Sequence, residues 1–156
     1  MKIASLILGE MEIEENMIIN FPEGLPAFEE EKKFVIVPVE SGAPFYYMQS
    51  LKTPELCFML ADPFVFFPDY EIKMGEEESR KIKAEENAGD IQVFVILTVP
   101  EDYRKTTANL LAPLIINVKD KIGLQFVAAD SDYNTKHFIF PYAFEGEKSG
   151  VAGEAK

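Results

Sequence analysis

The apolar residues of this chain come in short runs, and turn residues interrupt them before any run is long enough for a buried helix. The runs cover residues 2–8, 10–13, 17–20, 34–39, 45–50, 57–61, 91–99, 113–118 and 123–128. They are rich in β-branched and aromatic side chains, which fit a pleated, half-buried surface better than a helix. Gly9, Gly42, Thr53-Pro54 and the stretch 121–123 punctuate them. Nine short strands predict an all-β (mainly β) fold, a small antiparallel β-barrel-like domain. The run IQVFVILT, residues 91–98, is apolar at nearly every position, as expected of a central strand covered on both faces. KDKIG, residues 119–123, reads as the turn of a hairpin joining LIINV to LQFVA.

One short surface helix is expected over residues 76–86, EEESRKIKAEE, where Glu76 with Arg80 and Glu77 with Lys81 form i,i+4 pairs in the favourable order. Its only apolar residues are Ile82 and Ala84, so it reads as a weakly amphipathic, solvated connector with fraying ends. A single domain over residues 1–142 is expected, followed by a flexible tail over 143–156. The apolar stretch FIFPYAF, residues 138–144, reads as a last strand or a docked segment.

At 156 residues the chain is long enough to bury roughly two thirds of its unfolded surface. It has one cysteine, Cys57, so neither an intrachain disulfide nor a thiolate metal cage can form, which suits a reducing cytoplasm. The apolar start, Ile3 to Leu8, is far short of the ~20 residues of a membrane helix, and acids follow it. Asp and Glu number 27 against 15 Lys and Arg, and the eight acids from Glu10 to Glu31 are uninterrupted by a base. That field repels phosphate backbones and attracts basic surfaces, so the expected partner is a basic protein and not nucleic acid.

Catalytic and metal signatures are sparse. His137 is the only histidine, and Cys57 lies in an apolar strand pattern where a thiol packs as a small hydrophobe. Scattered aspartates such as Asp69, Asp130 and Asp132 read as turn formers before they read as oxygen ligands. Neither a cofactor nor an enzymatic activity is expected. Two alternatives stay open: a small-ligand-binding β-barrel with an enclosed apolar cavity, and a carboxylate-based hydrolase with two facing acids in a cleft.

The residues left over after the core is assigned point to contact with other proteins. LADPFVFFPDYE, residues 60–71, gathers four aromatics around Asp62-Pro63 and Phe67-Pro68 with no base nearby. Proline cannot donate to a ladder, so the run is expected at an edge or turn, in extended form. Phe64 and Phe66 would then face one way and Val65 and Phe67 the other. One pair can enter the core, and the other is expected to form an apolar patch ringed by acids.

Four ordered segments, FPEGLPAFEEEKKF, LADPFVFFPDYE, TVPEDYRKTTANLLAPLIINV and SDYNTKH, resemble the FliW family of bacterial flagellar assembly factors, with the resemblance covering residues 2 to about 137. It implies a β-barrel-like domain without catalytic activity that binds flagellin in the cytoplasm. It also implies that the free factor binds and antagonises CsrA, the RNA-binding translational repressor of flagellin, so that flagellin synthesis follows export. A monomer is expected. The motif match assigns partner contacts to Asp62, Phe66, Phe67, Pro68, Asp69, Tyr70, Asn109 and Asn117, with the rings as apolar anchors, the acids orienting basic groups and the two asparagines forming hydrogen bonds. The chain differs from the family pattern at Ala27, where glycine is usual, and at Tyr46-Tyr47, where a tryptophan-containing pair is usual.

Overall fold

The computed structural model describes residues 1–84 and 88–141. The end of the expected helix 76–86, Tyr142 and Phe144 of the apolar stretch, and the expected tail 143–156 lie outside the described residues. The nine expected strands all form, with ends shifted by at most three residues: β1 (Lys2–Ser5), β2 (Gly9–Glu12), β3 (Ile18–Asn20), β4 (Lys33–Pro38), β5 (Phe45–Ser50), β6 (Cys57–Ala61), β7 (Ile91–Thr98), β9 (Leu114–Asn117) and β10 (Ile122–Gln125). Two further strands of two residues each, β8 (Thr107–Ala108) and β11 (His137–Phe138), are too short to carry a pattern of their own. Among the described residues the α-helices are α1 (Pro63–Phe66) and α2 (Glu76–Lys81).

Strands β3, β4, β5, β6, β7, β9 and β10 close into a seven-strand barrel. The closure falls at β7. Its second half pairs with β6 through Leu60↔Ile96 and Ala61↔Val95. On its other edge, residues 91–94 pair with β9, from Ile91↔Asn117 to Phe94↔Leu114. Further along that edge Leu97 and Thr98 pair with β8, which in turn pairs with β11. The β9–β10 hairpin forms as expected, with Ile122 opposite Asn117. The pairing of β10 with β3 is parallel, the one departure from an antiparallel ladder among the described residues.

The barrel axis is filled with side chains, as a barrel of this size allows. Phe21, Phe34, Met48, Leu60, Phe94, Leu114 and Ile116 meet there. Gly123 permits this packing, because a Cβ at that position would come within 2.8 Å of the Phe21 ring and 2.7 Å of Ile116. Apolar side chains on the outer face are covered in three places. The β1–β2 hairpin lays Ile3 and Ile13 on Val35. The segment after α2 lays Ile82 on Ile115. The α1 turn and the chain around β11 cover Ala61, Val95, Leu97 and Ala108. Such covering explains why β7 reads as apolar on both faces.

Three expectations need correction. Strand β1 stops at Ser5, whose Oγ accepts the N–H groups of Ile7 and Leu8 and turns the chain, leaving Leu6 and Ile7 exposed at the tip. The 76–86 segment is a surface helix only as far as Lys81: α2 has no buried residue, but after it Ile82 is fully buried and Ala84 nearly so, and the Nδ2 of Asn117 donates to the Ile82 carbonyl at 2.8 Å. The proline-bracketed run is not extended but forms α1, so the two-faced alternation expected there does not occur.

The loop between β3 and β4 contains a type II turn over Leu25, Pro26, Ala27 and Phe28, closed by the Phe28 N–H donating to the Leu25 carbonyl at 2.8 Å. Proline suits the second position of that turn, and the third needs a positive φ. Ala27 supplies it at φ 70°, in the left-handed region where a Cβ is unfavourable. Ala27→Gly removes that strain, offset in part by the greater freedom of glycine in the unfolded chain, and should raise stability by about 0.5–1 kcal/mol. Urea unfolding with an unchanged m value is the check.

Candidate protein-docking surface

The sequence of α1 explains why a helix forms where an edge strand was expected. Asp62 is its N-cap, and its carboxylate accepts the Phe64 N–H at 3.0 Å. Pro63 occupies the first helical position, where the missing N–H has no role to fill. The Phe67 N–H donates to the Pro63 carbonyl at 2.8 Å, and Pro68 prevents continuation. One turn of helix separates the aromatics by exposure. Phe66 and Phe67 are half-buried, whereas Phe64 is 44% exposed and Val65 56%. Pro68 and Asp69 are exposed beside them in sequence.

Beneath α1, rings hold the turn in place. Phe66 packs on Phe45 at 5.5 Å and edge-on to Phe140 at 6.0 Å, and Phe140 in turn meets the exposed ring of Tyr103 at 6.4 Å. Phe67 meets His137, His137 meets Tyr133, and Tyr133 meets Tyr70 at 4.8 Å. Tyr70 is 5% exposed, and its hydroxyl donates to the Leu110 carbonyl at 2.7 Å. Burial, reinforced by neighbouring Tyr133, pushes the Tyr70 hydroxyl well above the usual phenol range, so it stays a protonated donor.

The expected contact residues therefore fall into three places. Asp62, Phe66, Phe67, Pro68, Asp69 and Tyr70 gather at α1, where Pro68 and Asp69 are open to solvent and Tyr70 is an internal support. Asn109 lines a separate shallow groove of about 280 Å3 with Phe28, Phe58 and Val127, and its Oδ1 accepts the Ala112 N–H to shape the link from β8 to β9. Asn117 is fully buried. Its Oδ1 accepts the Lys119 and Asp120 N–H groups, which form the hairpin turn, and its Nδ2 holds Ile82. Phe64 and Val65, the apolar side chains most open on α1, were not among the expected contacts, because an extended reading of the run gives no means of telling outward residues from inward ones.

The acids divide similarly between structural and free. Glu29 accepts the Ala27 N–H at 2.9 Å. Glu31 takes the hydroxyls of Ser50 and Thr53, each at 2.5 Å. Partial burial raises the Glu31 pKa, but those two hydroxyls and nearby Lys52 outweigh it and hold the carboxyl below the usual range. Cys57 pairs opposite Gln49 in the barrel wall and burial pushes its thiol up, the reverse of what an activated nucleophile needs. Among the described residues no group of three or more His, Cys, Asp or Glu is placed to hold a metal ion. No helix of the described residues is long and apolar enough to cross a membrane.

His137 accepts the Asn134 N–H through Nε2 at 3.0 Å, which requires the neutral ring, and burial lowers its pKa below the ordinary 6.5. The unfolded chain therefore binds this proton at higher pH than the folded one does, and stability falls as pH drops through about 6.5. Thermal unfolding between about pH 7.5 and 5.5 should show that slope, and His137→Gln should flatten it.

A family model described as FliW protein matches residues 2–139. The chain is 51% identical over 152 residues to the flagellar assembly factor FliW of Syntrophomonas wolfei, covering 97% of each chain. It is 44% identical over 131 residues to the protein of the same name from Bacillus subtilis, covering 84% of this chain and 91% of that one. A solved structure, the crystal structure of the flagellar assembly factor FliW, superimposes with a TM-score of 0.85 at 41% identity, covering 90% of this chain and 98% of that chain.

Proposed function

Because the chain belongs to the FliW family of flagellar assembly factors, which are not enzymes, we propose that it acts in the cytoplasm by holding unassembled flagellin. When flagellin is exported, the freed factor binds CsrA and relieves its repression of flagellin translation. The observation that carries this reading is the α1 turn, where Phe64 and Val65 stand 44 and 56% exposed on a support of half-buried rings and the buried ring of Tyr70. A fixed apolar projection of this kind suits an amphipathic helix, which docks by its apolar face without the host having to reorganise. Pro68 and Asp69 extend the contact, and Asp69 meets basic groups along the helix. The Phe66 and Phe67 rings fix the turn, while Tyr70, packed on Phe64 at 5.9 Å and on Tyr133 at 4.8 Å, supports it from beneath.

Binding of CsrA follows from charge. A repressor that holds RNA presents basic residues, and a chain of net charge −12 attracts them over distances that contact interactions do not reach. The ligand-barrel alternative loses its ground, because the barrel axis is occupied by the chain's own side chains.

Phe64→Ser combined with Val65→Ser should weaken calorimetric binding of a flagellin terminal segment by about thirtyfold, the loss expected for removing two apolar contacts. Tyr70→Phe serves as the comparison: it should lower stability by about 1 kcal/mol through loss of the buried hydrogen bond and leave flagellin affinity unchanged. Equal affinity of the double variant and the parent would remove α1 from the contact. For CsrA, the stopped-flow association rate should fall by about tenfold from low to high salt as exposed charges are screened. A flat rate would remove electrostatic steering.

A further inference from the structure

On another part of the surface, residues 71–75 and 126–133 face each other across a cleft of about 700 Å3. Its walls are stretches of chain that belong to no sheet. Residues 71–75 nonetheless alternate as a strand does: Ile72 and Met74 pack inward against the Ile82 and Ile115 cluster, while Glu71, Lys73 and Gly75 line the cleft. The opposite wall continues the β9–β10 hairpin past its last ladder pair. There the Phe126 N–H donates to the Pro113 carbonyl at 2.9 Å and the Ala128 N–H to the Leu111 carbonyl at 2.7 Å. Alternation in an extended chain turns Val127 and Ala129 to the opposite edge. Neither of their N–H groups has a partner among the described residues, and nor do those of Ile72 and Lys73. The Glu71 N–H donates to the Tyr133 hydroxyl at 3.1 Å and ties the two walls together.

An edge with open main-chain donors beside a cleft fits an added strand. The charge of the lining says which strand: Glu71, Glu78, Asp130 and Asp132 surround it, and Lys73 is the one base among the described lining residues. Apolar floor is supplied by Phe126 and Ala128. We propose that this cleft takes one extended peptide segment with lysine or arginine at alternate positions, added as a strand along Val127 and Ala129. Main-chain bonds would give the attachment, and the alternate basic side chains would meet the acids. This site shares no lining residue with α1, although Tyr133 at its edge also packs on Tyr70 beneath that turn, and it stands whether or not the α1 surface holds flagellin.

The test uses the full chain, labelled with 15N, and the acetylated, amidated peptide Lys-Val-Lys-Val-Lys-Val. Amide shifts should centre on Val127, Ala129 and Lys73, and hydrogen exchange at Val127 and Ala129 should slow on binding. The Glu-Val counterpart should bind at least about tenfold more weakly. Of two forms N-methylated on either the Lys or the Val amides, at least one should lose about tenfold, since it cannot make the ladder bonds. Ala129→Pro removes one protein donor. It falls at the second position of the turn that the Ser131 N–H closes onto the Ala128 carbonyl, where proline is tolerated, and it should weaken binding with the spectrum otherwise kept. Shifts absent or scattered at millimolar peptide would overturn the proposal. So would equal binding of the acidic peptide, or undiminished binding of both N-methylated forms.

Discussion

Strand β7 carries the constraint on which the remaining architecture depends. Its one edge pairs with β6 and the other with β9 and then β8, so a single eight-residue strand both closes the barrel and extends the sheet beyond it. Closure removes the exposed edges that a sheet of short strands would otherwise present. It also fixes how β8 must leave β9: the chain detours over residues 109–112, where Asn109 binds the Ala112 N–H and its own N–H donates to the Ile96 carbonyl. The chain around β11 then docks through β8, and with it come Tyr133, His137 and Phe140, the rings that support α1.

The surface consequences follow from that order. A closed barrel of seven strands has a filled interior and no room for a ligand on its axis, so what the molecule offers to partners it must offer outside. Its outer face is apolar over much of β7 and β9, and three separate covers bury that face. Each cover brings its own consequence: the α1 cover exposes Phe64 and Val65, and the α2 cover leaves residues 71–75 extended beside the unpaired edge of 126–129. Both features come from segments that finish the packing of the barrel, so stability and recognition share the same short stretches of chain.

Much of the fold was legible in the residues. The turn punctuation located nine strands, and the 119–123 turn identified the hairpin that became β9–β10. The acidic balance was legible too, and it frames both proposed contacts. The errors have specific causes. Asp62-Pro63 is a strand-edge signal and a helix start alike, and the two differ only in whether the carboxylate finds the N–H two residues on. The motif match makes Tyr70 an apolar anchor and Asn117 a hydrogen-bonding contact, and a motif says nothing of burial: both side chains are buried and bonded internally. Their partners, the carbonyls of Leu110 and Ile82, lie 40 and 35 residues away. At Ile82 one isoleucine among charges makes a weak amphipathic pattern, and nothing nearby in sequence shows that Ile115 of β9 receives it.

By itself, then, the sequence determined the spacing of strands and turns, the sign of the surface charge, and through four ordered segments the family. These are local or additive properties, set by neighbours within a few residues or by a sum over the chain. Only the tertiary structure decided which aromatic of the α1 turn faces water, which polar groups are satisfied inside, and where two unpaired stretches of backbone face each other. Each of those depends on what a segment dozens of residues distant places against it, and burial is a property of that meeting and not of either sequence alone.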